Sequence, residues 1–247
     1  MSRIRVFDDL EAMSRAAAER IVAIGRSAIA AHGRFDWLLS GGNTPVRTYE
    51  ILARQYNDQQ FWRKTRFYWA DERCVGPDHP DSNFRIAALS LIQPLGVPAE
   101  NVYRVPTESG DPDRMALQYE AILPERPDLV LLGVGEDGHT ASLFPGSAAV
   151  EETGRRVVAA IGFGRPTAQR ITITPAVLKA ARSILVLAAG RQKAEAVRLA
   201  LAAEGDVRAT PARLVRDALW LVDREAAAQL PKSLCSAWPN CLAPKKD

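Results

Sequence analysis

Residues 128–146, DLVLLGVGEDGHTASLFPG, join an apolar, strand-like run to Gly133-x-Gly135-x-x-Gly138, and the reading of that junction decides the fold. Three glycines after a strand suggest a dinucleotide fingerprint, which needs a long helix whose N-terminus lies on the pyrophosphate. Here Glu136 and Asp137 would face the diphosphate and repel it. Pro145-Gly146 also breaks the chain where the long helix should run. The alternative is a strand-end loop whose purpose is to carry Asp137 and His139. A carboxylate beside an imidazole holds its tautomer and favours its charged form, which suits general acid or base work near neutral pH. A histidine after glycines is more often structural, but the adjacent acid and the strand-end position favour a chemical role.

Outward from this strand, short β-branched or aromatic runs alternate with helical stretches. Strands are expected at 4–7, 35–40, 66–70, 128–133, 171–174, 183–189 and 218–222, with a weaker one at 155–161. Helices are expected at 8–32, 45–55, 82–91, 112–123 and 192–203; in the first, Leu10, Met13, Ala17, Ile21, Ile24 and Ala28 recur at helical spacing. This alternation predicts a doubly wound α/β/α sandwich, a mostly parallel sheet with helices on both faces. One domain is expected over 1–232 and an irregular extension over 233–247. The 247 residues are 47% hydrophobic and 25% charged, with 32 Lys plus Arg against 29 Asp plus Glu. That balance is too even for a nucleic-acid binder. No apolar run reaches the ~20 residues of a membrane span, and charges interrupt the first ten residues where a signal peptide would be apolar, so a cytoplasmic protein is expected. Cys74, Cys235 and Cys241 lack metal-ligand spacing and suggest no disulfide framework.

In open α/β sheets ligands collect beyond the carboxyl ends of the strands. Besides the opening stretch, three strand-end loops have unusual composition. SGGNTP, 40–45, reads either as an ordinary tight turn or as a phosphate cradle, with Gly41 and Gly42 admitting close approach, Thr44 as N-cap and Pro45 as first helical residue. ADER, 70–73, puts Asp71, Glu72 and Arg73 at the end of a buried strand; such clusters are often solvated, yet this one shares its sheet edge with the Gly-Gly loop. Asn83 and Arg85 open the next helix and would brace it, and His79 reads as an exposed loop residue. AAGRQKAEAV, 188–197, places Lys193 in a first helical turn, where the dipole disfavours a cation unless an anion is near. Arg170 is a second candidate cation.

Together the loops resemble one family, the 6-phosphogluconolactonases, relatives of the glucosamine-6-phosphate isomerases/deaminases. The matching pieces are LSGGNTP, FYWADERCV with DSNFR, GVGEDGHTASLFPG, RITITP, GRQKAEAV and TPARLV (210–215), in order along residues 35–222. The resemblance implies hydrolysis of 6-phospho-D-glucono-1,5-lactone to 6-phosphogluconate in the oxidative pentose phosphate pathway, with no metal and no organic cofactor. It implies His139 as the base, Asp137 as its neighbour, Arg73 and Asp71 at the lactone end, and Gly41, Gly42, Asn43, Thr44, Arg170 and Lys193 around the 6-phosphate. The expected partner is therefore a small sugar phosphate, with neither nucleic acid nor membrane, and the chain is expected to be a monomer or small homo-oligomer.

Two alternatives have identifiable discriminators. The deaminases carry a catalytic Glu where this chain has Phe144, and tend to carry an aromatic residue at Arg73. A sugar-phosphate-sensing regulator would need a DNA-binding module, and the residues before SGGNTP's strand hold only one strand and one helix.

Overall fold

The computed structural model describes residues 3–162 and 169–231. The extension expected over 233–247, with Cys235 and Cys241, lies outside the described residues. Among the described residues six strands form one parallel sheet: β1 (Arg3–Phe7), β2 (Phe35–Leu39), β3 (Thr65–Trp69), β5 (Leu129–Gly133), β8 (Ile184–Ala188) and β9 (Leu219–Asp223), in the order β1-β9-β8-β5-β2-β3. Three more make an antiparallel sheet in the order β4 (Asp71–Arg73), β7 (Gln169–Ile173), β6 (Val157–Ile161).

The near-continuous apolar runs follow from burial on both faces. Along FDWLL, Leu38 joins one core with Val130, Leu132, Val186 and Trp220, while Phe35, Trp37 and Leu39 join the other with Leu129, Leu131 and Leu187. The second core is closed by α1 (Leu10–His32) and α2 (Val46–Gln55) through Met13, Ala17, Ile21, Tyr49 and Leu52. The first is closed by α5 (Pro112–Ile122) and α7 (Ala194–Leu201) through Met115, Tyr119, Val197 and Ala200, and by Ile171 and Ile173 of the small sheet. The doubly wound class is as expected. Leu10 is the exception on α1's apolar stripe, being exposed.

The structure corrects several local expectations. ADER does not form a loop. The chain leaves the main sheet at Ala70, whose carbonyl accepts from Ile173 N–H at 2.9 Å, and continues as β4 against β7. The strands expected at 155–161 and 171–174 belong to that antiparallel sheet and not to the parallel one. Thr44 does not cap a helix. Pro45 holds the N-cap position without a side-chain cap, and Val46 N–H instead bonds Asn43 O at 3.3 Å, so the helix begins one residue later. The helix over 82–91 is a short α4 (Asn83–Ala87) running into a π-helical turn, Ala88–Ile92. Two short helices, α3 (Gln59–Arg63) and α6 (Pro175–Ala180), were not anticipated.

From β2 the chain winds outward to β3, and from β5 it winds the other way through β8 to β9. The winding therefore reverses between β2 and β5, and that crevice is where ligands bind in sheets of this kind.

Candidate active site

An open cavity of about 220 Å³ lies at that reversal, many times a water's ≈ 30 Å³ share of the liquid. Its lining comes from three loops: Ser40 to Pro45 after β2, Gly133 to Gly135 with His139 and Ala141 after β5, and Lys193 after β8, joined by Asp71, Arg73 and Asn83. Of the residues picked out from sequence, it gathers Gly41, Gly42, Asn43, Thr44, Asp71, Arg73, His139 and Lys193. Asp137 touches His139 at its edge. Arg170 is not among the lining residues; it is buried in β7, directly across from Arg73. His79 is exposed, with Nδ1 near Asp81.

The loop after β5 closes on itself. Gly135 N–H donates to His139 O at 2.8 Å, Gly138 N–H to Gly135 O at 3.1 Å, and Thr140 Oγ1 to Gly133 O at 2.9 Å. TPARLV holds it from behind, with Ala212 N–H donating to Gly138 O at 2.9 Å. Only a short 3-10 turn, Ala148–Glu151, follows, and not the long helix a dinucleotide site needs. His139 Nδ1 lies 2.5 Å from Asp137 Oδ1, and the same oxygen accepts the His139 backbone N–H at 3.2 Å. The Phe144 ring packs on the imidazole at 4.9 Å between centroids. Gly135 is the seat of the imidazole, since a Cβ there would fall 1.9 Å from Nδ1.

In β4 the strand alternation separates the three charges of DER, because successive side chains point to opposite faces. Asp71 and Arg73 line the cavity, whereas Glu72 does not. Glu72 instead satisfies the start of α4, accepting from Asn83 N–H and Phe84 N–H at 2.7 Å each, Arg73 N–H at 2.7 Å and Ser82 Oγ at 3.1 Å. Burial pushes its pKa up, and the three backbone donors oppose that shift. Asp71 Oδ2 accepts from Ser142 Oγ at 2.7 Å and Oδ1 from Asn83 Nδ2 at 3.2 Å. Arg73 Nη1 donates to Asp81 O, and its Nε is buried with no hydrogen-bond partner among the described residues.

The cradle loop is anchored by Tyr49, whose buried hydroxyl accepts from Ser40 N–H at 3.1 Å and donates to Ser40 O at 2.7 Å. Lys193 stands at the N-cap position of α7 without a side-chain cap, its Nζ 4.0 Å from Glu136 Oε1. The turn before it is tied to β9 by Gly190 N–H, 2.9 and 3.1 Å from the two Asp223 oxygens. Among the described residues no three His, Cys, Asp or Glu side chains converge as a metal site, and no helix is long and apolar enough to cross a membrane. Sequence reasoning missed Ser142, although it lies inside the GVGEDGHTASLFPG stretch, and read Asn83 only as a brace.

The family model described as glucosamine-6-phosphate isomerases/6-phosphogluconolactonase matches residues 8–222. The chain belongs to this family. Within it, a 6-phosphogluconolactonase of Synechocystis sp. is 39% identical over 216 residues, covering 82% of this chain and 88% of that protein. The solved structure of the 6-phosphogluconolactonase from Trypanosoma brucei superposes with a TM-score of 0.84 at 30% identity, covering 94% of this chain and 99% of its own. A monomeric glucosamine-6-phosphate deaminase superposes at 0.79 with 21% identity, which shows that the family's two branches share the fold. The branches must therefore be told apart by side chains.

Proposed function

We propose that this chain hydrolyses 6-phospho-D-glucono-1,5-lactone to 6-phospho-D-gluconate, in the cytoplasm and without metal or organic cofactor, as a step of the oxidative pentose phosphate pathway. The observation that carries the reading is His139, held at 2.5 Å by Asp137 in a cavity that also holds Arg73 and the Gly41–Gly42 loop. With Nδ1–H donated to Asp137, Nε2 is the nitrogen that takes a proton from water as the water oxygen bonds to the lactone carbonyl carbon. Negative charge then develops on the carbonyl oxygen. Arg73, which lines the cavity, supplies a cation for it. As the bond from that carbon to the ring oxygen breaks, His139 returns the proton to the ring oxygen. The product acid ionises and releases one proton to solvent.

Gly41, Gly42, Asn43, Thr44 and Lys193 hold the 6-phosphate and fix the distance between it and the reacting carbon. Arg170, expected at the 6-phosphate, lies instead buried in β7 across from Arg73 and outside the cavity lining, so it is not counted among the residues that hold the phosphate. Asp71, held by Ser142 and Asn83, accepts from a substrate hydroxyl. Against the deaminase reading stands Phe144, whose apolar ring lies on His139 where a proton-relaying carboxylate would be needed. The experiment is a side-by-side assay of acid release from enzymatically generated lactone and ammonia release from glucosamine 6-phosphate. Acceleration of the first alone is expected, and the second alone would reverse the assignment.

A further inference from the structure

Asn83 touches both ends of the cavity. It is 1% exposed, opens α4 and lines the cavity wall. Its Nδ2 donates to Asp71 O at 2.8 Å and to Asp71 Oδ1 at 3.2 Å. Both of those atoms are acceptors, so the amide cannot be flipped without setting oxygen against oxygen. Oδ1 is therefore directed away from Asp71, toward the Gly41 loop, and it is buried without a hydrogen-bond partner among the described residues. A Cβ on Gly41 would sit 1.8 Å from Oδ1, 2.1 Å from Cγ and 2.5 Å from Nδ2. The backbone at Gly41 is not left-handed, unlike that of Gly42 at φ +78°. What excludes a side chain at 41 is thus the Asn83 amide itself.

Resting on the lactonase reading, we propose that Asn83 is the positioning residue that couples the phosphate-holding loop to Asp71. One planar amide is wedged between Gly41 and the Asp71 carboxylate, so the height of the loop and the orientation of the carboxylate are set together. Ser142 fixes the other carboxylate oxygen, which leaves Asn83 as the adjustable side of that pair.

The test is a double-mutant cycle on Asn83→Ala and Gly41→Ala, read as kcat/KM for the lactone and as affinity for 6-phosphogluconate by calorimetry. Each single change is expected to cost roughly 10- to 100-fold in kcat/KM, since each disturbs placement at both ends. The double variant is expected within about threefold of the worse single, because the added methyl then occupies space the amide has vacated. Additive losses overturn the coupling. If Asn83→Ala does not fold, as judged by its melting transition, Asn83→Ser takes its place in the cycle. Asn83→Asp supplies a readout that mere space-filling would not move: a second carboxyl against Asp71 raises the pair's apparent pKa and should shift the acid limb of the kcat/KM profile to higher pH. An unshifted limb also counts against the proposal. A wild-type protein that fails to turn over the lactone overturns the functional reading, and the coupling with it. A wild-type protein that does turn it over, with an additive cycle, overturns the coupling alone.

Discussion

Replacing Gly135 by Ala isolates the placement of His139 without touching any polar group. The added Cβ would lie 1.9 Å from His139 Nδ1, 2.0 Å from Cε1 and 2.6 Å from Asp137 Oδ1, whereas ordinary van der Waals contact begins near 3.4 Å. The imidazole would have to retreat by about 1.5 Å, and its 2.5 Å contact with Asp137 could not survive unchanged. Misplacing a reacting group by 1 Å can cost about 100-fold, so kcat/KM should fall by at least that factor, about 2.7 kcal/mol of transition-state stabilisation. The backbone at 135 is not left-handed, so alanine fits it, and the melting temperature should move by only a few degrees. Lactone hydrolysis measured beside a thermal melt separates the two effects. A Gly135→Ala protein within threefold of wild-type kcat/KM would refute the claim that this contact seats the catalytic histidine.

Lys193→Ala should raise KM and the inhibition constant of 6-phosphogluconate about tenfold or more while largely sparing kcat, because the ammonium acts on the phosphate and not on the reacting carbon; a loss confined to kcat contradicts that role. Phe144→Ala removes a buried ring that packs on His139 and should cost roughly 3–5 kcal/mol of stability, or on the order of 10 °C in Tm, together with a fall in kcat. Unchanged kcat in the folded variant would mean the ring does not support the imidazole. Cys74 has its thiol pushed up to about 11, by burial first and by the charge of Glu72 second, with Arg170 opposing. A raised pKa keeps it a thiol at neutral pH and lets it weaken folding only as pH climbs from about 9 through 11. Iodoacetamide at pH 8, followed by peptide mass spectrometry, should therefore modify the half-buried Cys74 more slowly in the folded protein than in urea; equal rates would contradict its raised pKa and partial burial.

The main sheet and the cavity loops were legible in the sequence because apolar runs buried on both faces and glycine-rich strand ends are local signals. FDWLL, DLVLLG and SILVLAA each announce a buried strand, and the loops after them carry Gly41, His139 and Lys193. Two strands of the second sheet were legible, at 155–161 and 171–174, but its third strand and the pairing of the three apart from the main sheet were not. β4 consists of Asp71, Glu72 and Arg73, which have no apolar alternation; they are a strand only because β7 lies alongside, a long-range fact. The same distance hid the division of labour within that triplet, with Glu72 spent on the start of α4 while its neighbours face the cavity. It also hid Ser142, which meets Asp71 across 71 residues of chain. Thr44 misled in the opposite way, since a residue type favoured at helix starts sits in a turn that Pro45 displaces by one position.

The most direct measurement is acid release on adding 6-phosphogluconolactone at constant pH, wild type against His139→Ala, each corrected for spontaneous hydrolysis. The mechanism requires rapid proton release by the wild type and, in the variant, a rate lower by roughly 10²–10⁴-fold, with affinity for 6-phosphogluconate nearly kept. A His139→Ala protein that releases acid at the wild-type rate would contradict the assignment of His139 as the base.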